Sequence, residues 1–153
     1  MRTSRLRGRH TPPGEQLTST PHLERARSHP LDTITAIQLD TVQAETLLWV
    51  EHQTAQGAGD AQRAVARGRE LAASAGGIGG LPRATRAALL AALGAANDAA
   101  LQEERASDIV ALSGEALEIA DGLGEEARLA TLIRTAFPFW TLGLWREAEE
   151  HYQ

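Results

Sequence analysis

Five of the chain's six aromatic residues (Phe137, Phe139, Trp140, Trp145 and Tyr152) fall within its last 25 positions, Leu129–Gln153. The run LATLIRTAFPFWTLGLWREAEEHYQ reads as one helix, a short break at Leu142-Gly143 and the start of a second helix. Two helices this short cannot bury their apolar faces against each other alone, because most helical stability in proteins comes from tertiary packing. The stretch therefore demands neighbours of the same kind upstream.

The composition supplies them. The 153 residues suffice for one domain with a modest core. Ala and Leu provide most of the 42% hydrophobic share, and the β-branched and aromatic residues that favour strands are sparse. An all-α fold is expected. No apolar run approaches the ~20 residues that span a bilayer, and the N-terminal segment lacks the apolar core of a secretory signal. No cysteine is present, which excludes disulfides and thiol chemistry; a cytoplasmic location is the expectation.

Charge divides the chain. All 15 basic residues are Arg. Residues 1–30 hold six of them against Glu15 and Glu24, whereas the remainder holds nine Arg against 18 acids. With Pro12, Pro13, Pro21 and Pro30 and few apolar residues, the first segment cannot offset the entropy of ordering, and residues 1–31 are expected to form a disordered basic tail. The acidic body argues against a nucleic-acid groove in residues 32–153.

Beyond Pro30 the pattern predicts six helices. Asp32 or Thr33 caps a first helix from Thr33 to about Gln56, with Ile34, Ile37, Ala44, Leu48 and Ala55 on one stripe and Val42, Leu47, Trp49 and Val50 widening it to a second packed side. Gly57-Ala58-Gly59 reads as the break, and Asp60 as the cap of a second helix over Ala61–Ser74. The run Ala75-Gly76-Gly77-Ile78-Gly79-Gly80 lacks the preceding strand and following Lys of a phosphate loop, so it reads as a flexible linker. A third helix spans roughly Pro82–Glu103 and a fourth Ala106–Asp121, before Gly122-Leu123-Gly124. The fifth spans Glu125–Thr141, with Leu129, Leu132, Ile133, Ala136, Phe139 and Trp140 inward and Pro138 expected to kink or shorten it. The sixth follows Gly143.

Three helix pairs joined by short turns suit both a closed bundle and a stack of hairpins. Internal similarity points to the stack. Leu132, Thr135-Ala136, Phe139, Ala148 and Tyr152 in the last pair correspond to Leu93, Ala96-Asn97, Ala100, Ile109 and Ser113 in the middle one, all at one constant offset. In the first pair Leu48, Glu51-His52, Ala55, Ala64 and Gly68 fill the same slots, with a longer step from Leu48 to Leu93. This order of large, small and aromatic positions resembles the tetratricopeptide repeat, in the divergent form found in bacterial LuxR-type ATPase and signalling regulators. Both offsets exceed the usual ~34 residues, and Thr135-Ala136 and Ala96-Asn97 stand where the consensus has Leu-Gly, so a generic helical bundle stays open beside it. The resemblance implies a short α-solenoid with units at about 33–75, 82–121 and 125–153, whose concave face is made by the first helix of each pair and takes an extended or helical peptide. Trp49, His52, Asn97 and Arg134 are the implied contact residues.

Catalytic chemistry finds no footing in the sequence. His10, His22, His29, His52 and His151 show no metal-binding spacing, and neither a nucleophile motif nor a cofactor fingerprint occurs. The pairs Glu103-Glu104, Glu125-Glu126 and Glu149-Glu150 read as solvated charge. No cofactor, no metal and no enzymatic activity are expected. A solenoid ordinarily ends in a polar cap, whereas this sequence ends on aromatic residues. Trp140 and Trp145 are therefore expected to meet further repeats of a longer array, a protein partner, or a second copy of the chain in a structural bundle.

Overall fold

The computed structural model describes residues 32–152, with side chains described through Glu150. Among these residues the chain is all-α: α1 (Thr33–Trp49), α2 (Thr54–Ser74), α3 (Arg83–Gln102), α4 (Ala106–Asp121), α5 (Glu125–Thr141) and α6 (Trp145–Tyr152), with a 3-10 turn at Ile78–Gly80 before α3. The tail expected over residues 1–31 lies outside the described residues.

Each helix packs on the next, and the odd-numbered helices also pack on one another, α1 against α3 and α3 against α5. Among the described residues, α1 and α2 touch α5 and α6 only sparsely. The six helices are thus packed in sequence. The main core lies between α1, α2, α3 and α4, around Ile37, Ala64, Leu89, Leu93 and Ile119, each fully buried. A second cluster seats the last hairpin: Phe139 of α5, 1% exposed, packs with Ala100 and Leu101 of α3 and Ile109 of α4.

The first break differs from the sequence expectation. Helix α1 ends at Trp49 and α2 begins at Thr54, so Gly57, Ala58 and Asp60 are buried inside a helix, where they neither break nor cap one. Packing explains the glycine. A Cβ on Gly57 would sit 2.8 Å from Leu48 Cγ and 3.1 Å from the Ala44 carbonyl oxygen, so Gly57 is where α2 crosses α1. Gly68, three turns on, plays the same part against α3, where a Cβ would lie 2.6 Å from Leu89 Cδ1. The real turn is closed by His52 in the left-handed conformation (φ 55°). It is tied down from α3, because Gln102 Nε2 donates to the Leu48 carbonyl and Gln102 Oε1 accepts from the Thr54 hydroxyl at 2.9 Å. Asp32 caps α1 as expected, with its carboxylate accepting from the Thr35 backbone N–H at 3.0 Å.

The later hairpins repeat one turn. Glu104 (φ 54°) and Gly143 (φ 67°) adopt the left-handed conformation. Arg105 N donates to Ala100 O and Leu144 N to Phe139 O, the six-to-one bond that closes a helix C-terminus. Glu104 and Gly143 stand at the same offset as Leu93 and Leu132, the one read in the sequence. The corresponding turn residue of the first hairpin, His52, lies farther from Glu104 than Leu48 lies from Leu93. The register of the first pair is therefore corrected, and Glu51-His52 occupy the turn instead of a helix face.

Two further expectations are corrected. The glycine run is folded: Gly77 N closes α2 on Ala72 O, and Leu81, with partly buried Ile78, packs into the core. Helix α5 runs through Pro138 to Thr141 without being shortened, and its buried positions are Thr131, Thr135, Pro138 and Phe139. Leu129, Ile133, Ala136 and Trp140 point outward. Threonine tolerates this inward face because each hydroxyl can bond the carbonyl one turn back: Thr131 donates to Ala127 O and Thr135 to Thr131 O. Of the four residues that widen the stripe of the first helical segment, Leu47 is buried, whereas Val42, Trp49 and Val50 are exposed, so these three do not form a second buried face.

Candidate functional site

On the side where α1, α3 and α5 lie next to one another, polar side chains link all three. Glu45 and Trp49, one turn apart on α1, share a face. Asp98 stands on α3 and Arg134 on α5. Arg134 Nη2 donates to Asp98 Oδ2 at 2.7 Å and to Glu45 Oε1 at 3.0 Å, and Trp49 Nε1 reaches the same Asp98 oxygen at 3.4 Å. Arg134 can cross α3 because Gly94 lies beneath it: a Cβ there would fall 2.6 Å from the guanidinium carbon. Burial pushes the Arg134 pKa down, but the charge and hydrogen bond of Asp98, then those of Glu45, outweigh it and leave it above the usual arginine value. The guanidinium is permanently charged with two carboxylates beside it, so the row carries a net negative charge. Its side chain remains 40% exposed, which keeps the worth of each pair at the surface-ion-pair scale of up to about 1 kcal/mol.

Of the residues singled out in the sequence, Trp49 and Arg134 meet in this row, with Trp49 half exposed. Asn97 is adjacent but 3% exposed. It faces inward and lines a cavity of about 210 Å³ between α3, α4 and α5, together with Leu93, Leu112, Thr131 and Arg134. Neither its Nδ2 nor its Oδ1 has a hydrogen-bond partner. His52 is exposed on the α1–α2 turn, away from the first-helix face expected of it. Trp140 and Trp145, 63% and 61% exposed, belong to the last hairpin, where Leu129, Ile133 and Phe137 of α5 are exposed as well. No closed core surrounds Trp49 and Trp140.

Sequence reasoning missed Glu45, Gly94 and Asp98. Glu45 could have been found from its one-turn spacing to Trp49. Gly94 and Asp98 gain meaning only from the distance between helices, which no local pattern encodes. On the opposite side, Arg69 of α2 forms a two-pronged pair with Glu115 of α4, its Nε donating to Glu115 Oε1 at 3.1 Å. This pair links α2 to α4, as the Arg134 row links α1, α3 and α5.

Among the described residues no group of three or more His, Cys, Asp or Glu could hold a metal ion, and no helix is long and apolar enough to cross a membrane. Glu103, Glu104, Glu125 and Glu126 are exposed. No protein-family model, curated protein or solved structure matches the chain.

Proposed function

We propose that the chain is a non-enzymatic protein-interaction module, a short tetratricopeptide-like stack of the kind used in bacterial regulatory proteins. It takes a peptide or protein segment on the face of α1, α3 and α5. The observation that carries this reading is the row Glu45–Arg134–Asp98–Trp49, which places a half-exposed indole beside an acidic, salt-bridged surface. Tryptophan supplies large contact area at low entropic cost and is enriched at interaction hot spots. The negative row favours a basic segment as partner. The matching hairpin turns at Glu104 and Gly143, and packing of each helix on the next, support the repeat reading.

Immobilised full-length chain exposed to a random peptide library tests this. The expectation is enrichment of Arg- or Lys-containing peptides, lost with Trp49→Ala and weakened by added salt. Enrichment that is indifferent to both Trp49→Ala and Asp98→Asn contradicts the assignment of the face.

A second reading, self-association, is favoured by one observation. Moving one repeat along the chain carries Leu90, Gly94, Asn97 and Leu101 of α3 onto Leu129, Ile133, Ala136 and Trp140 of α5. The α3 set includes residues lining the boundary with α5, while the α5 set is exposed. A second copy could cover that stripe with its own α5. Light scattering after size exclusion separates the readings: a dimer that Ile133→Glu converts to a monomer supports self-association, and a monomer at high micromolar concentration contradicts it.

A further inference from the structure

We propose that two copies of the chain pair antiparallel through the outward side of α5, and that this pairing joins their two α1–α3–α5 faces into one continuous, two-fold-symmetric surface. The contact rests on the self-association reading above; the shared surface goes beyond it. Leu129, Ile133, Ala136, Phe137 and Trp140 recur at helical spacing and form one stripe about 16 Å long. All five are exposed, and the stripe lies opposite Thr131, Thr135 and Pro138, the buried side of α5. The four large residues are each at least 54% exposed. A buried aromatic side chain covers ~150–250 Å², so closing the stripe withdraws about 500 Å² of apolar surface per copy. The pair then buries about 1,000 Å², the floor for a specific interface.

Shape sets the direction. In an antiparallel pair, a two-fold axis midway along the stripe sets Leu129 beside the partner's Trp140 and Ile133 beside the partner's Ala136. Each step puts a larger side chain against a smaller one. A parallel pair sets every residue against its own copy, which crowds Trp140 against the partner's Trp140 and leaves a gap at Ala136. Charge agrees. Glu125 and Glu126 begin α5, Arg146 follows its end, and all three are exposed. Antiparallel pairing brings the two acids toward the partner's Arg146, whereas parallel pairing brings them toward their own copies. Symmetry then fixes the surface. Helix α3 packs on both α1 and α5, and Arg134 links Glu45 and Asp98 across the three helices. The two-fold axis of an antiparallel pair stands normal to the plane of the two α5 helices, so both faces end on the same side. One basic segment can then run from one copy onto the next, and two tethered segments bind with added avidity.

The test uses the full chain carrying Glu125→Cys, an exposed position outside the stripe, spin-labelled and held at high micromolar concentration. Light scattering reads the mass and pulsed electron resonance the label separation. The expected result is a dimer with labels roughly 30 Å apart, because each sits about 14 Å along α5 from the two-fold axis and the helices are about 8–10 Å apart. Ile133→Glu and Ala136→Trp alter exposed positions. Each is expected to give a folded monomer, judged by circular dichroism, and to remove that distance. A dimer with labels roughly 10–15 Å apart, the parallel arrangement, overturns the proposal and leaves self-association standing. A dimer indifferent to both variants uses another surface and also overturns it. A monomer, the result if a different protein covers the stripe, overturns the proposal and the self-association reading together.

Discussion

The guanidinium of Arg134 lies against the Cα of Gly94, in space that a Cβ would fill, with 2.6 Å between that Cβ and the guanidinium carbon. This contact lets one side chain of α5 cross α3 and reach Glu45 on α1. Gly94→Ala should therefore displace Arg134. The substitution gains about 1 kcal/mol of helix propensity and loses half-exposed ion pairs worth up to about 1 kcal/mol, so net stability in urea should change by less than about 1 kcal/mol. The diagnostic is salt. Exposed pairs are screened, and the variant should show a smaller loss of stability between low and high salt than the parent. Equal salt dependence would mean that Arg134 does not depend on Gly94 for its position.

Gly68 presents a different case, because its neighbour cannot swing away. A Cβ there meets Leu89 at its Cβ and Cγ (both 3.2 Å) as well as at Cδ1, and Leu89 is fully buried. Gly68→Ala must push α2 from α3. Overpacking costs about 1–3 kcal/mol against the ~1 kcal/mol gained in helix propensity. A net loss of about 1 kcal/mol is expected in chemical denaturation; a gain would show that the two helices are not in close contact.

His52 and Glu104 hold φ near +55°, a conformation that costs an L-residue roughly 1–2 kcal/mol and glycine nothing. Glycine adds ~0.5–1 kcal/mol of unfolded-state entropy. Glu104→Gly should consequently raise stability by up to about 1 kcal/mol, and His52→Gly likewise. A drop in midpoint for both would contradict the turn geometry.

Asp32 supplies a pH-dependent cap. The Thr35 hydroxyl at 2.6 Å, followed by the Thr35 N–H, holds its carboxyl below the ordinary aspartate value. A pKa depressed on folding gives stability that is present above the unfolded value and lost as pH falls through the lowered folded value. Amide exchange in the first turn of α1 should accelerate on acidification through that window, relative to the middle of α3. Asp32→Ala should remove the dependence; persistence of it in the variant would assign the effect to another carboxylate.

The helices were legible in the sequence wherever glycine and apolar spacing agreed, as from Glu125 to Thr141, and the constant offset between the last two hairpins is mirrored by their turns. The first break was misread because Gly57 and Gly59 resemble a terminator locally, whereas Gly57 is set by the approach of Leu48 from another helix. The inward face of α5 was misread for a related reason. Hydrophobicity alone puts Ile133 and Trp140 inside, yet self-bonded threonines and Pro138 occupy that side. Of the candidate site, Trp49 and Arg134 could be named from their placement on first helices. Their link through Asp98 and Gly94 depends on interhelical distance, which a single sequence does not carry.

The absence of cysteine makes the serial arrangement of the helices directly measurable. Cysteines placed at exposed Gln62 on α2 and exposed Arg146 on α6 can be spin-labelled and their separation read by pulsed electron resonance. Adjacent helices lie about 8–10 Å apart. With α4 between them, the labels should report about 20 Å or more. A narrow distribution at the separation of adjacent helices, placing α6 directly on α2, would contradict the account.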